Sequence, residues 1–185
     1  MKITVAIKPN PELPLPDDRT LAEAGANGMM ELVYAHLVRR NDSAKRREGM
    51  PKSGYWADAA DSMKVEAHGR EATVTIDKEG AALHYYGGIV YPTGGRKALA
   101  IPVHPAVADQ NPAEYDPSRT LLSLVWPKGE KAGTLRDKET DEPYYLLVAH
   151  AKMDPDPTVL PEESALQRAA EEGMYAKIKS YGGAA

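Results

Sequence analysis

Apolar residues recur along this chain with two periods, and the places where the period changes mark its elements. Residues 2–7 put Ile3, Val5 and Ile7 at every second position, which predicts a short strand. Pro9, Pro11, Pro14 and Pro16 follow and force an extended connector. Thr20-Leu21-Ala22-Glu23 then has the spacing of a capping box, with the Thr20 hydroxyl accepting from the Glu23 backbone N–H and the Glu23 carboxylate reaching back. Beyond it Met29, Leu32, Val33, His36 and Leu37 share one helical face, so a helix runs to about residue 40, with Gly25 and Gly28 weakening its first half. The basic stretch from Arg39 to Lys52 closes in a loop, Met50-Pro51-Lys52-Ser53-Gly54.

A short helix over 55–62 is expected to turn Trp56 and Ala60 inward. Met63, Val65 and Ala67 alternate with Lys64, Glu66 and His68, and after Gly69-Arg70 the alternation resumes with Ala72, Val74 and Ile76. Two such runs separated by Gly-X predict a hairpin with a type II′ turn. Residues 78–86 read as a helical turn ending at Gly87-Gly88, followed by short strands at 89–91 and 98–101 and a Pro-rich excursion over 102–119. Leu121 to Trp126 is apolar at nearly every position, the pattern of a central strand. Strands at 132–136 and 143–151 flank a charged turn from Asp137 to Glu142. Pro155, Pro157 and Pro161 form a second extended strap, and a last helix over 162–179 puts Leu166, Ala169, Ala170, Gly173, Met174 and Ile178 on one side.

This order of elements predicts an α+β fold: a mainly antiparallel sheet with an N-terminal and a C-terminal helix packed on it, plus Pro-rich extended arms. At 185 residues the chain is expected to be one domain, with a strand and arm over 1–19, a helix-plus-sheet core over 20–160, and a closing helix and tail over 161–185. Phe is absent, so ten Tyr and two Trp supply the aromatic packing, and each buried hydroxyl or indole N–H needs a polar partner. With no Cys, a disulfide, a thiol nucleophile and a thiolate metal site are excluded. The opening residues lack a secretory pattern and no stretch approaches the roughly 20 apolar residues of a membrane span, so a soluble protein without membrane contact is expected.

Net charge is −4, but unevenly placed. Residues 38–52 carry six Lys/Arg against two acids and residues 137–172 ten acids against three bases, oppositely charged ends with which copies can dock head to tail. Candidate chemistry is sparse. No pair of the five histidines has the i, i+4 spacing of a zinc helix. His36 lies on the apolar helical face and reads as a satisfied core or interface histidine. His84, before Tyr85-Tyr86-Gly87-Gly88, could serve acid–base chemistry, but the plainer reading is packed aromatics beside a tight glycine turn. His104 reads as a solvated loop residue. No serine lies in a nucleophile elbow. Asp154-x-Asp156 has prolines where a calcium loop cannot hold them. Gly94-Gly95-Arg96-Lys97 lacks the strand-to-helix frame of a phosphate loop. The cluster Arg39, Arg40, Lys45, Arg46 and Arg47 is the one polyanion candidate, and it lacks interleaved aromatics.

Certain motifs carry a resemblance. His36-Leu37-Val38-Arg39-Arg40-Asn41 followed by Tyr55-Trp56-Ala57-Asp58-Ala59-Ala60 resembles the opening of phage virion-morphogenesis proteins of Mu-like prophages. Tyr85-Tyr86-Gly87-Gly88-Ile89-Val90-Tyr91-Pro92, then Lys97-Ala98-Leu99-Ala100-Ile101-Pro102, is similar to that family's most specific block. The run Pro155-x-Pro157-x-x-Leu160-Pro161 resembles its closing strap, so the likeness covers roughly residues 30 to 180. Tyr55 stands where Phe is expected, and Lys52-Ser53-Gly54 where the preceding loop usually has Gly-Gly.

The resemblance implies a non-enzymatic structural protein without cofactors, which completes the tail or joins head to tail and commonly works as a ring. Its partners would be copies of itself and other tail or neck proteins, first in the bacterial host cytoplasm and then in the virion. Arg39, Arg40, Lys45, Arg46, Arg47, Tyr85, Tyr86 and Trp126 are the candidate partner-binding residues, with the basic loop and the acidic region as opposite halves of a heterologous interface. On this reading the excursions 9–19 and 102–119 would reach a neighbour. A nucleic-acid-contacting protein using loop 39–47, or a small hydrolase built around His84 or His104, are the alternatives.

Overall fold

The computed structural model describes residues 1–6, 16–43, 53–108 and 110–182. In chain order the elements are β1 (Lys2–Ala6), α1 (Asp18–Ser43), α2 (Tyr55–Asp61), β2 (Met63–His68), β3 (Glu71–Ile76), α3 (Ala81–Tyr86), β4 (Gly88–Val90), β5 (Leu99–Pro102), α4 (Pro112–Tyr115), β6 (Leu122–Val125), β7 (Ala132–Asp137), β8 (Pro143–Val148), β9 (Ala151–Met153) and α5 (Glu163–Gly182), with 3-10 turns at Pro105–Val107 and Pro157–Val159. Every strand pairing is antiparallel and the class is α+β. Where the sequence suggests one domain over 1–185, the chain divides into two compact units: the described parts of 1–44, 54–86 and 155–185, and those of 45–53 and 87–154.

In the first unit the strands line up as β1-β3-β2. The β2–β3 hairpin has the expected register, Met63 to His68 against Ile76 to Glu71. Its turn has Gly69 at φ 60°, while Arg70 stays at negative φ, as a type II′ turn requires. The side chains alternate as predicted, with Ala72, Val74 and Ile76 buried. Against them lies α1, burying Leu21, Ala22, Gly25, Ala26, Met29, Val33 and Leu37. From α2 come Trp56, Ala59 and Ala60, which join the same cluster.

Helix α1 begins differently from the capping-box expectation. Asp17 is the cap: its carboxylate accepts from the Thr20 backbone N–H at 2.9 Å and from the Thr20 hydroxyl at 2.8 Å. An ionised carboxylate is the stronger acceptor for a first-turn N–H, so Thr20 donates inside the helix instead of capping it.

Gly25 and Gly28, which cost helix propensity, have a packing use. A Cβ on Gly28 would lie 2.3 Å from the Ala169 carbonyl oxygen of α5, and one on Gly173 would lie 2.4 Å from the Ala24 carbonyl oxygen. The helices therefore run antiparallel in backbone contact, and Leu166 and Ala170 of α5 enter the α1 core. Each glycine costs about 1 kcal/mol of propensity, which the dispersion gained by close approach offsets.

In the second unit β4 pairs with β9, and a four-stranded sheet has the order β5-β8-β7-β6. The expected central strand at Leu121–Trp126 is instead an edge strand. Short turns join β6 to β7 and β7 to β8, and consecutive hairpins place successive strands side by side, so β6 ends the meander while β5 takes the far side of β8. An irregularity between Leu135 and Arg136 lets both Tyr144 and Tyr145 join one buried cluster with Val107. The Pro-rich excursion packs on its own sheet: Val107 is fully buried, and Tyr115 packs against the same cluster. That corrects the idea that all of 102–119 reaches a neighbour. Residues 7–15 of the first arm lie outside the described residues.

Candidate interaction surface

Of the basic candidates, Lys45, Arg46 and Arg47 lie outside the described residues. Arg39 is exposed on α1, and its Nε donates to the Ala35 carbonyl of its own helix at 3.1 Å. Arg40 is committed within the first unit. Its guanidinium lies 4.8 Å from the centre of the Trp56 ring. It also donates to the Thr158 carbonyl at 3.2 Å and hydroxyl at 3.1 Å, and pairs with the Asp156 carboxylate. His36 Nε2 donates to the same Thr158 carbonyl at 2.9 Å, so the reading of a satisfied histidine holds. Asp156 also caps the 3-10 turn, accepting from the Thr158 backbone N–H. The Thr158 hydroxyl and then Arg40 hold its carboxyl below the usual range, against a smaller opposing effect of burial. This is a strap tied to a helix, and it removes Arg40 from any polyanion site.

His84 belongs to the same cluster, with ring centres 5.0 Å from Tyr55 and 4.9 Å from Trp56. Burial and the nearby Arg40 charge lower its pKa, outweighing Asp156, so the imidazole is neutral near pH 7. The Asp156 backbone N–H donates to the His84 carbonyl at 3.0 Å. Packing and a glycine turn, with Gly87 at φ 71°, account for this segment. His104, expected to be merely solvated, stacks on Tyr144 with ring centres 4.3 Å apart and planes 3° from parallel. Its Nδ1 accepts from the Ala106 N–H, and its Nε2 faces Glu142 at 3.4 Å. The Gly94-Gly95 stretch is a turn with positive φ at both glycines, as the loop reading expects.

Tyr85 is half-buried and packs against the first unit's core, while Tyr86 is 68% exposed and meets Tyr85 edge-on at 4.8 Å. In the second unit Trp126 lies flat on the backbone at Gly133, where a Cβ would approach its ring to 2.4 Å. Its indole N–H donates to the Glu130 carbonyl at 3.1 Å, and the ring remains 43% exposed. Trp126 is thus a rigid aromatic plate fixed by its own hairpin.

Around it the sequence reading missed the larger feature. Leu124 and Val125 on the rim strand β6, and Leu121 and Trp126 on either side of it, are all exposed, with Leu124 at 63%. Ile89 and Tyr91, elsewhere in the same unit, are exposed as well. The signal was there in part: Pro127-Lys128-Gly129 marks a tight hairpin after the apolar run, and a strand at the end of a meander has an open edge.

A buried carboxylate organises the approach to this rim. Asp116 accepts from the backbone N–H groups of Thr120, Leu121 and Leu122, each at 2.9 Å, and from the Ser118 hydroxyl at 3.2 Å. Burial pushes its pKa up, but the N–H donors of Leu122, Thr120 and Leu121 together with Ser118 outweigh it and hold the carboxyl below its ordinary value. Tyr145, buried beneath the excursion, donates to the Gln110 carbonyl, and burial pushes its phenol up to about 12.

The acidic region 137–172 spans the division between the units, and Asp137, Asp141, Asp154 and Asp156 each serve a local turn or ion pair. Among the described residues no group of three or more His, Asp or Glu side chains is placed to hold a metal ion, and no helix is long and apolar enough to cross a membrane. No family model matches the chain, and no curated protein or solved structure is significantly similar to it.

Proposed function

We propose that this chain is a structural protein of bacteriophage assembly that completes the tail or joins head to tail through protein–protein contacts. The observation that carries the reading is the apolar rim of the second unit. Leu121, Leu124, Val125 and Trp126 are each exposed on or beside the edge strand β6, Leu124 and Trp126 on one face and Leu121 and Val125 on the other, and large apolar side chains at an open edge favour association. Trp126 is held rigid by Gly133 and Glu130, so little side-chain entropy is lost when a partner covers it. The motif likeness to Mu-like virion-morphogenesis proteins supplies the kind of partner: other tail or neck subunits, and further copies in a ring. Within the first unit, the motif residues Arg40, Trp56, His84 and Asp156 meet in one cluster, which gives those segments a shared structural use.

Solution mass measured with and without purified tail tubes of the phage that carries the gene tests the reading. A defined oligomer, or co-sedimentation with the tubes, is expected. A monomer that stays unchanged and ignores the tubes would overturn it.

A further inference from the structure

Among the described residues strand β1 is also an open edge, and it lies beside a groove. The Ile76 N–H donates to the Met1 carbonyl at 3.0 Å, so Met1 and Ile76 form a hydrogen-bonded pair. Bonded and non-bonded pairs alternate along an antiparallel ladder, which makes Ile3–Val74 and Val5–Ala72 bonded pairs too. The backbone N–H and C=O groups of Lys2, Thr4 and Ala6 therefore point away from β3. Among the described residues β1 pairs with no other strand.

Alongside that edge runs a groove of about 380 Å³ between β1 and α5. Its floor is apolar, with Val5 from the strand and Leu166, Ala170 and Met174 from the helix. Its rim carries Glu163 and Glu171. A strand added to β1 would place its helix-facing side chains on that floor.

We propose that this groove accepts an extended, lysine- or arginine-bearing segment of a partner protein as a fourth strand. The spacing of the two carboxylates sets its pattern. Glu163 and Glu171 lie about 12 Å apart along the helix at 1.5 Å per residue, which is about four residues of strand at 3.3 Å each. Residues i, i+2 and i+4 of a strand share one face, so the fitting pattern is basic, apolar, basic at alternate positions. Main-chain hydrogen bonds to Lys2, Thr4 and Ala6 supply affinity, and the acidic rim supplies selection. A second copy adding its own β1 is disfavoured, because it would bring another Glu163 and Glu171 to the same rim. The inference rests on this groove alone and stands apart from the assembly reading.

Two capped threonine-rich peptides serve as probes, with lysine, leucine and lysine, or glutamate, leucine and glutamate, at alternate positions. Each is titrated into the isotope-labelled full chain and followed by amide NMR. The lysine peptide should shift and protect the amides of Lys2, Thr4 and Ala6 together with those of α5. It should bind at least ~10-fold more tightly than the glutamate peptide, a margin that salt erodes. Thr4→Pro removes one outward N–H without touching the β3 ladder, and should weaken binding ~10-fold while the α1 and α5 amides keep their positions. Should that variant misfold, the surface pair Glu163→Lys and Glu171→Lys decides the matter by reversing the peptide preference. The proposal fails if neither peptide perturbs β1, or if the charge-reversed pair still prefers the lysine peptide. It also fails if sedimentation shows a dimer that Thr4→Pro dissolves, since a second copy would then be the occupant.

Discussion

The first unit buries its apolar residues around one long helix, whereas the second leaves many of them at its rim. In the first, Ala22, Ala26, Val33, Leu37, Ala59 and Val74 are almost wholly inaccessible, because α1 meets the sheet, α2 and α5 at once. In the second, the buried cluster is Val107, Tyr144 and Tyr145, while Leu121, Leu124, Val125 and Trp126 stay exposed on β6. Small residues allow close layers in one unit, and large residues on a thin sheet make surface in the other. Apolar character alone therefore does not say whether a residue becomes core or contact. The number of elements converging on it decides.

One tryptophan in each unit lets the comparison be broken experimentally, since Trp56 and Trp126 report separately when the other is replaced by Phe. The largest expected effect is from Gly28→Val. Its side chain meets the Ala169 carbonyl at the α1–α5 contact, so the first unit should lose about 3 kcal/mol or more. Urea unfolding followed at Trp56 checks this, and an equal loss at Trp126 would show that the units do not unfold separately.

Asp116→Ala should have the next largest effect, now on the second unit. It leaves the N–H groups of Thr120, Leu121 and Leu122 without their acceptor and should lower the Trp126 transition. The lowered carboxyl pKa fixes the sign of the pH dependence. The unfolded chain takes up the proton first as pH falls, so the stabilisation is full above the ordinary value of 3.8 and is lost as pH drops towards the folded value. In the Asp116→Ala variant the acid dependence of the Trp126 signal should flatten.

Arg40→Ala should cost the first unit about 2 kcal/mol, by removing charge-assisted bonds to Asp156 and Thr158 and the cover over Trp56. Arg40→Lys should restore little, since a point charge cannot both stack on the ring and bridge two acceptors. Thermal melts of both variants, with Trp56 fluorescence, read this directly. The smallest stability change, within about 0.5 kcal/mol, is expected for Leu124→Lys with Val125→Lys on the exposed rim. Those two should nevertheless have the largest effect on association, abolishing co-sedimentation with tail tubes while the melting curve stays in place.

Much of this fold was legible where a period and a turn residue agree. The β2–β3 hairpin, with Gly69 at its turn, came out residue for residue; of the expected helical stripe Met29, Val33 and Leu37 are buried, while Leu32 and His36 are half-buried at its margin. The closing helix placed Leu166 and Ala170 on its inner side as expected. What was not legible involved choices between partners. Asp17 displaced Thr20 as cap because a carboxylate accepts more strongly than a hydroxyl. Arg40 lay in a basic run, and nothing local indicated that Asp156, more than a hundred residues away, would claim it. His104 gained its stacking partner only when β8 brought Tyr144 beside it.

The sequence by itself determined most of the elements, because hydrophobic period, glycine turns and proline breaks act over a few neighbouring residues; the strand expected over 143–151 is in fact two, β8 and β9, which join different sheets. It determined, too, that α1 would carry an apolar stripe and that no thiol chemistry was open to the chain. Only the tertiary structure decided that Leu121–Trp126 lies at a rim instead of a centre, that Gly25 and Gly28 are contact points instead of weaknesses, and that β1 has an unpaired edge among the described residues. Those outcomes depend on which elements become neighbours. Neighbourhood is fixed by the summed packing of the whole unit, which no local pattern contains.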